Sequence, residues 1–279
     1  MSQDSAACDI CPHGCVLAPG QTGRCRARSN RDGVIISDNY GIVTALALDP
    51  IEKKPLYHFH PGSRILSVGS FGCNMHCPFC QNSHISMIGM SAIKPGHAMK
   101  PEELVEAALS ERKKGNIGIA YTYNEPLIGY EFVLDCAAIA VQSGMANVMV
   151  TNGYIRREPL LKMLPYIQAM NIDLKGFRKE YYIKLGGGLE TAKETIALAA
   201  EACHVEVTTL IVPGENDSET EMEELAAWLS GVDPNIPYHV SRFFPNWKMT
   251  DREPTPVSKI YCLANIARRY LNHVYEGNC

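Results

Sequence analysis

The 279-residue chain has no apolar run of about 18 residues, the length that would suggest a membrane-spanning helix. It has no hydrophobic stretch at its start either. Residues 1–7 are polar, so no secretory leader is predicted. Internal repeats and low-complexity tracts are lacking. So is an excess of charge: the net charge is −4, and basic residues gather only in pairs such as Lys53-Lys54 and Lys113-Lys114. Such pairs read as solvated surface. Without a basic stripe the chain offers nothing to a polyanion, which argues against a nucleic-acid binder whose N-terminal cysteines form a zinc knuckle. These absences together predict a cytoplasmic protein with neither a membrane nor a nucleic acid as partner.

Cysteine, by contrast, is abundant. Eleven in a chain expected in a reducing compartment point to metals or catalysis rather than disulfides. Cys8, Cys11, Cys15 and Cys25 lie in the first 25 residues, and Cys73, Cys77 and Cys80 share one short stretch. Cys136, Cys203, Cys262 and Cys279 are scattered. Of these, Cys136 and Cys203 sit in apolar, helix-like segments and are expected to be core thiols.

Residues 1–61 read as a separate N-terminal element, with short extended runs at 34–37 and 42–48. Residues 62–279 read as the main domain. There, strand-like runs at 65–68, 117–121, 147–150, 171–174, 205–212 and 238–241 alternate with helical patterns at 101–114, 127–142, 158–164, 190–202, 218–229 and 256–270. Pro101 and Pro159 suit first-turn positions. About six β–α units in succession predict an α/β fold with a parallel sheet, either open or curled into a barrel. The polar signals follow the strands: CNMHCPFC after the first, TYNEP after the second, TNG after the third, DLK at the fourth, VPGEND after the fifth, and His239 with Arg242 at the sixth. In a parallel barrel those positions share one rim, and that rim holds the active site.

The C-x3-C-x2-C loop at Cys73, Cys77 and Cys80 offers three thiolates where a structural zinc ion takes four ligands. Three thiolates instead suit a [4Fe–4S] cluster with one iron left free to bind a small molecule. His76 and His84 are the residues that would complete a zinc site on the alternative reading.

A C-x3-C-x2-C loop after the first strand of a βα series resembles the radical S-adenosylmethionine (radical SAM) superfamily. The stretches DPIEKKPLYHFHPGSRILSVGSFGCNMHCPFCQN, VEVTTLIVPGENDS and PYHVSRFFPNWKMTDREPTP resemble a subgroup related to pyruvate formate-lyase activating enzymes. Within it, the likeness is to the radical SAM member of the AmmeMemoRadiSam system. The resemblance implies a partial (β/α)6 TIM-like barrel. It also implies that S-adenosylmethionine (SAM) chelates the fourth iron and is cleaved reductively to methionine and a 5′-deoxyadenosyl radical that abstracts hydrogen. A low-potential donor such as flavodoxin or ferredoxin would supply the electron. The hydrogen would come from a partner protein, as in glycyl-radical activation, or from a small substrate.

The resemblance carries roles residue by residue. Phe79 would lie against the adenine. Asn124 and Glu125 would meet the SAM amino group, and Asn152 would line the methionine end. Lys175 would meet the carboxylate, Asp173 the ribose or a cation, and His239 the ribose. Arg242 would bind an anionic part of the substrate or pair with an acid. The family often carries an acid at a cation site where this chain has Val150, and subgroup members often continue past VYEGN into a cysteine-bearing tail, whereas this chain stops at Cys279.

The remaining cysteine set, Cys8-x2-Cys11-x3-Cys15-x9-Cys25, offers four ligands inside an element too small to build a core of its own. A metal would supply the missing stability. Zinc and a second iron–sulfur cluster both suit this set, with His13 a candidate to replace one cysteine. The expectation is therefore a radical SAM enzyme on a partial barrel with a small N-terminal cysteine-rich metal-binding element. The competing expectation is a non-catalytic zinc-binding scaffold.

Overall fold

A computed structural model describes residues 4–93 and 98–279. The first three residues of the N-terminal element lie outside the described ones. Eight strands form the main sheet: β1 (Ala45–Pro50), β2 (Arg64–Gly69), β3 (Asn116–Tyr121), β4 (Ala146–Thr151), β5 (Ala169–Asp173), β6 (His204–Ile211), β7 (Tyr238–Arg242) and β8 (Val274–Gly277). They lie in chain order across the sheet, each beside the next. β1 runs antiparallel to β2, and every later pair is parallel. Helices α1 (Pro101–Ser110), α2 (Tyr130–Gln142), α3 (Arg157–Met163), α4 (Lys179–Leu185), α5 (Leu189–Ala200), α6 (Glu219–Val232) and α7 (Val257–Ala267) fill the connections. The result is an α/β fold built on a partial barrel with β1 and β8 as its edges.

The strands form where they do because their outward faces are covered by helices. Ile119, Met149, Met170, Ile172, Val207 and Val240 are almost fully buried, as a parallel sheet requires. α2 presents Cys136, Ala137 and Ala140 to the sheet with no exposed surface. These small side chains permit close helix–sheet approach. Cys136 is thus the core thiol that its surroundings predict, while Cys203 is only half-buried.

Three features depart from the sequence pattern. The run expected at 42–48 in the N-terminal element is β1, the antiparallel edge of the main sheet, paired along its whole length with β2. α4 and β8 were not foreseen, since both are short and lack a clear period. The patterns at 101–114 and 127–142 each break into an α-helix plus a 3-10 turn (Arg112–Lys114 and Pro126–Gly129).

The N-terminal end of the barrel is plugged by the segment after β1. Ile51 and Leu56 have no exposed surface and pack with Ile65, Ala120, Val148 and Ala169. Polar groups complete the floor. Asn171 Nδ2 donates to the Pro55 carbonyl at 2.8 Å, and His58 N donates to Glu206 Oε1 at 2.7 Å. With its floor closed, the barrel opens at the carboxyl ends of its strands.

The N-terminal element consists of two small antiparallel pairs, Ala6–Ala7 with Val16–Leu17 and Arg28–Arg31 with Val34–Ser37. Arg28 anchors it through a bidentate pair to Glu131 of α2, at 2.6 and 2.7 Å. Arg156 N, just ahead of α3, donates to the Ile10 carbonyl at 2.9 Å. The element therefore leans on the same end of the barrel as the rim loops.

Because Leu56 is wholly enclosed, Leu56→Ala is expected to cost about 3 kcal/mol of stability. Urea unfolding followed by circular dichroism checks this. A loss below about 1 kcal/mol would show that the plug is not tightly packed.

Candidate active site

The loop carrying Cys73, Cys77 and Cys80 leaves the end of β2 and packs its sulfur atoms toward a rim cavity of about 270 Å³. Gly72 opens it with φ +85°, and a Cβ there would lie 2.5 Å from the Cys25 carbonyl. Only glycine accommodates both demands. Cys73 N donates to that carbonyl at 3.2 Å, and His76 N to the Leu185 carbonyl at 2.9 Å.

Hydrogen-bond donors surround the sulfurs. Met75 N lies 3.4 Å and Asn152 Nδ2 3.7 Å from Cys73 Sγ, and Ser86 Oγ lies 3.1 Å from Cys80 Sγ. Burial pushes the Cys77 thiol up to about 11 and raises Cys73 as well. Both therefore need a bound cation to be drawn into the thiolate form. The donor set fits an iron–sulfur cluster: three thiols on one loop, facing one cavity, with N–H and O–H groups directed at sulfur. Neither His76 nor His84 lines that cavity. Among the described residues, no three His, Cys, Asp or Glu side chains are grouped closely enough to hold a single metal ion.

Most of the residues singled out in the sequence meet here. Phe79, Asn124, Glu125, Asn152, Asp173 and Lys175 all line the cavity with the three cysteines. Phe79 is buried and stands edge-on to Phe243, with ring centroids 6.4 Å apart. Lys175 Nζ lies 2.6 Å from Asp173 Oδ2. Burial alone would lower the lysine, but Asp173 and Cys77 outweigh it, so the ammonium form is held.

Glu125 is nearly inaccessible. Its carboxylate accepts from Leu127 N at 3.0 Å, Thr151 Oγ1 at 2.7 Å and Asn152 N at 2.8 Å. Burial nevertheless pushes it up to about 7. It is a carboxylate whose ionisation a nearby cation would favour.

Asn124 departs from its expected role as an oxygen acceptor. Its Oδ1 already accepts from Ser70 N at 2.9 Å, and its Nδ2 faces the Phe71 and Gly72 carbonyls. The side chain braces the cysteine loop. Asn152 is likewise committed, donating to Asn74 Oδ1 at 2.9 Å and accepting from Tyr154 N at 2.9 Å. Arg242 spends its Nε on the Thr255 carbonyl at 2.7 Å and stacks its guanidinium over Phe244.

His239 requires a correction. It is the second residue of β7, and it does not line the cavity. Its Nε2 lies 2.6 Å from Glu206 Oε2, and its ring stacks on Tyr275. It belongs to the polar layer beneath the rim, where His204 also reaches Glu206 at 3.0 Å. Burial would raise Glu206, but hydrogen bonds from His204 and His239 outweigh it and bring it to about 2. The residue of β7 that faces the cavity is Ser241, two positions on. Ser241, Ser86, Thr208 and Asn278 are lining residues that sequence reasoning missed. Strand alternation would have found Ser241, because it shares the inward face of His239 nearer the rim.

A profile of the Radical SAM superfamily matches residues 67–229. The chain is 42% identical over 281 residues to an uncharacterised protein of Methanocaldococcus jannaschii, spanning 100% of this chain and 83% of that one. It is 26% identical over 194 residues to the pyruvate formate-lyase 1-activating enzyme of Escherichia coli K12, spanning 64% of this chain and 75% of the enzyme. Among solved structures, a domain of a pyruvate-formate lyase-activating enzyme from Bacteroides vulgatus superposes with a TM-score of 0.50 at 21% identity, over 58% of this chain and 99% of that one. SuiB of Streptococcus suis bound to S-adenosylmethionine superposes with a TM-score of 0.55 at 12% identity, over 74% of this chain and 48% of that one. At these identities the superpositions show the fold.

His239→Gln is expected to lower stability while leaving SAM affinity within about twofold. Isothermal titration would contradict the placement if affinity fell tenfold or more. Glu206, held low in the folded state, stabilises the protein above its unfolded value of 4.5, and this stabilisation is lost as pH falls through about 2. Glu206→Gln should therefore flatten the stability–pH curve between those values. An unchanged slope in acid unfolding would count against the Glu206–His239 pairing.

Proposed function

Because the chain belongs to the radical SAM superfamily, and is thus an enzyme that uses a [4Fe–4S] cluster and SAM, we propose that Cys73, Cys77 and Cys80 would hold that cluster at the rim cavity. One observation carries the reading: three cysteine sulfurs, a cationic lysine and a buried carboxylate border the same cavity. When bound, the cluster supplies one electron to the SAM sulfonium, giving methionine and a 5′-deoxyadenosyl radical.

The chain's own residues bind and orient. Lys175 keeps N–H donors for the SAM carboxylate while Asp173 holds the ammonium in place. Glu125 offers the negative charge that a substrate ammonium requires, and its three backbone and hydroxyl donors keep it aimed at the rim. Asp173 also offers an acceptor to the ribose hydroxyls. Phe79 supplies an aromatic wall for the adenine. Asn152, Met75 N and Ser86 hydrogen-bond to cysteine sulfur, which tunes the potential of a bound cluster. The Val150 side chain at the rim offers no oxygen to a monovalent cation.

The hydrogen donor enters from the open rim. The similarity to a pyruvate formate-lyase activating enzyme supports a partner protein that presents a glycine Cα–H there, and a low-potential flavodoxin- or ferredoxin-type protein as electron source. A small-molecule donor would use the same radical generator. The four N-terminal cysteines form a second metal-binding set.

Replacing Cys73, Cys77 or Cys80 with Ala is expected to abolish 5′-deoxyadenosine formation with dithionite. Lys175→Met should leave iron at the rim but weaken SAM binding about 10- to 100-fold, roughly 1.5–3 kcal/mol for a lost charge-assisted hydrogen bond. Sustained turnover in any cysteine variant, or unchanged SAM affinity in the lysine variant, would contradict these assignments.

A further inference from the structure

We infer that Cys8, Cys11, Cys15 and Cys25 hold a polynuclear iron–sulfur cluster rather than a zinc ion, set directly behind the rim cysteine loop. All four are free thiols that line one small enclosed cavity, walled by Ile10, Leu17 and Ile128. Cys8, Cys11 and Cys25 are each less than 9% exposed, so they are poorly placed as surface redox thiols. Four thiols facing one apolar pocket are a ligand set in search of a soft metal.

Ligand spacing separates the two candidates. Zinc binds sulfur at about 2.3 Å in a tetrahedron and draws its four thiolates into near contact. A cluster interposes iron and sulfide between the thiolates and holds them farther apart. Among the described residues, no three His, Cys, Asp or Glu side chains are grouped closely enough for one ion. The N-terminal four therefore share a cavity without converging on a single centre. Nor do the rim cysteines form a single-ion group. In this comparison the inference rests on the rim assignment proposed above.

An unsatisfied donor calls for bound thiolate here, whichever metal holds it. Arg28 borders the cysteine cavity and is only 4% exposed. Its terminal nitrogens are taken by Glu131 and the Ile128 carbonyl. Its Nε is buried with no hydrogen-bond partner. A buried donor without an acceptor is destabilising. Metal-bound thiolates at these cysteines would supply the acceptor that Nε lacks, while Glu131 already balances the charge of the guanidinium.

The location gives the site its interest. The Cys25 carbonyl is the acceptor for Cys73 N, at 3.2 Å, and His13, between Cys11 and Cys15, places its Nε2 2.8 Å from the Asn74 carbonyl. The two cysteine sets stand back to back across one layer of backbone.

The experiment is metal analysis with Mössbauer spectroscopy of the full chain carrying Cys73→Ala, Cys77→Ala and Cys80→Ala together, purified anaerobically. The expected result is about four irons per chain, as one cubane cluster, and no stoichiometric zinc. One zinc per chain, or neither metal, overturns the inference. Should the triple variant fail to fold, Cys8→Ala with Cys11→Ala decides. Iron should fall from about eight to about four per chain, and SAM should still perturb the remaining cluster. Unchanged iron content overturns the inference. A failure of the rim assignment is distinguishable, because the triple variant would then keep all of the iron found in the parent protein.

Discussion

The structure depends on how the backbone of the 71–80 loop is held. A loop that turns three sulfur atoms inward has few hydrogen bonds of its own, and buried peptide groups left unpaired cost roughly 1–3 kcal/mol each. Here every neighbour supplies a partner. Cys25 of the N-terminal element accepts from Cys73 N, and Leu185 at the end of α4 accepts from His76 N. Asn124 ties the 70–72 backbone from the loop after β3, and Asn74 Nδ2 reaches the Tyr154 carbonyl after β4 at 2.7 Å. Lys248 N, beyond β7, donates to the Pro78 carbonyl at 2.9 Å. The loop is fixed by almost the whole rim, and those bonds set the aim of its sulfurs.

The barrel beneath is layered by chemistry. Its floor is the plug, in which Ile51 and Leu56 are wholly buried. Above it lies a buried polar layer of Asn171, Glu206 and His239, with Thr208 between it and the cavity. Thr208 donates to Asn171 at 3.0 Å, and His239 meets Glu206. Higher still come Asp173, Lys175, Ser241 and the cysteines at the rim. Buried polar groups are tolerable only when paired, and the middle layer is paired within itself and to the plug through the Pro55 carbonyl and His58 N. The upper layer keeps some capacity unspent: Lys175 has one partner for an ammonium with three donors. That difference marks where structure ends and ligand binding begins.

Much of this was legible in the sequence. Parallel strands covered on both faces read as apolar runs, and the cysteine spacing marked out the two thiol groups that the fold gathers around separate cavities. What alternation could not supply was depth. It gives the face of a strand but not the distance from the rim, so His239 was placed one layer too high and Ser241 was passed over. β1 was assigned to the N-terminal element because its pairing partner, β2, lies beyond a turn rich in His and Pro. Asn124 read as a ligand residue because its bonds are to backbone carbonyls, which no side-chain pattern reveals. The joint between the two cysteine sets was invisible for the same reason, since it is made by the Cys25 carbonyl and the Cys73 amide.

The central claim is that three thiols on a braced loop leave one iron open toward a cavity shaped for SAM. Electron paramagnetic resonance of the anaerobic, dithionite-reduced protein, with and without SAM carrying a nitrogen-15 amino group, tests it most directly. The account expects the signal of one cubane cluster to shift on addition and to acquire hyperfine coupling to that nitrogen. A spectrum indifferent to SAM, with the fourth iron ligated by a protein side chain, would contradict it.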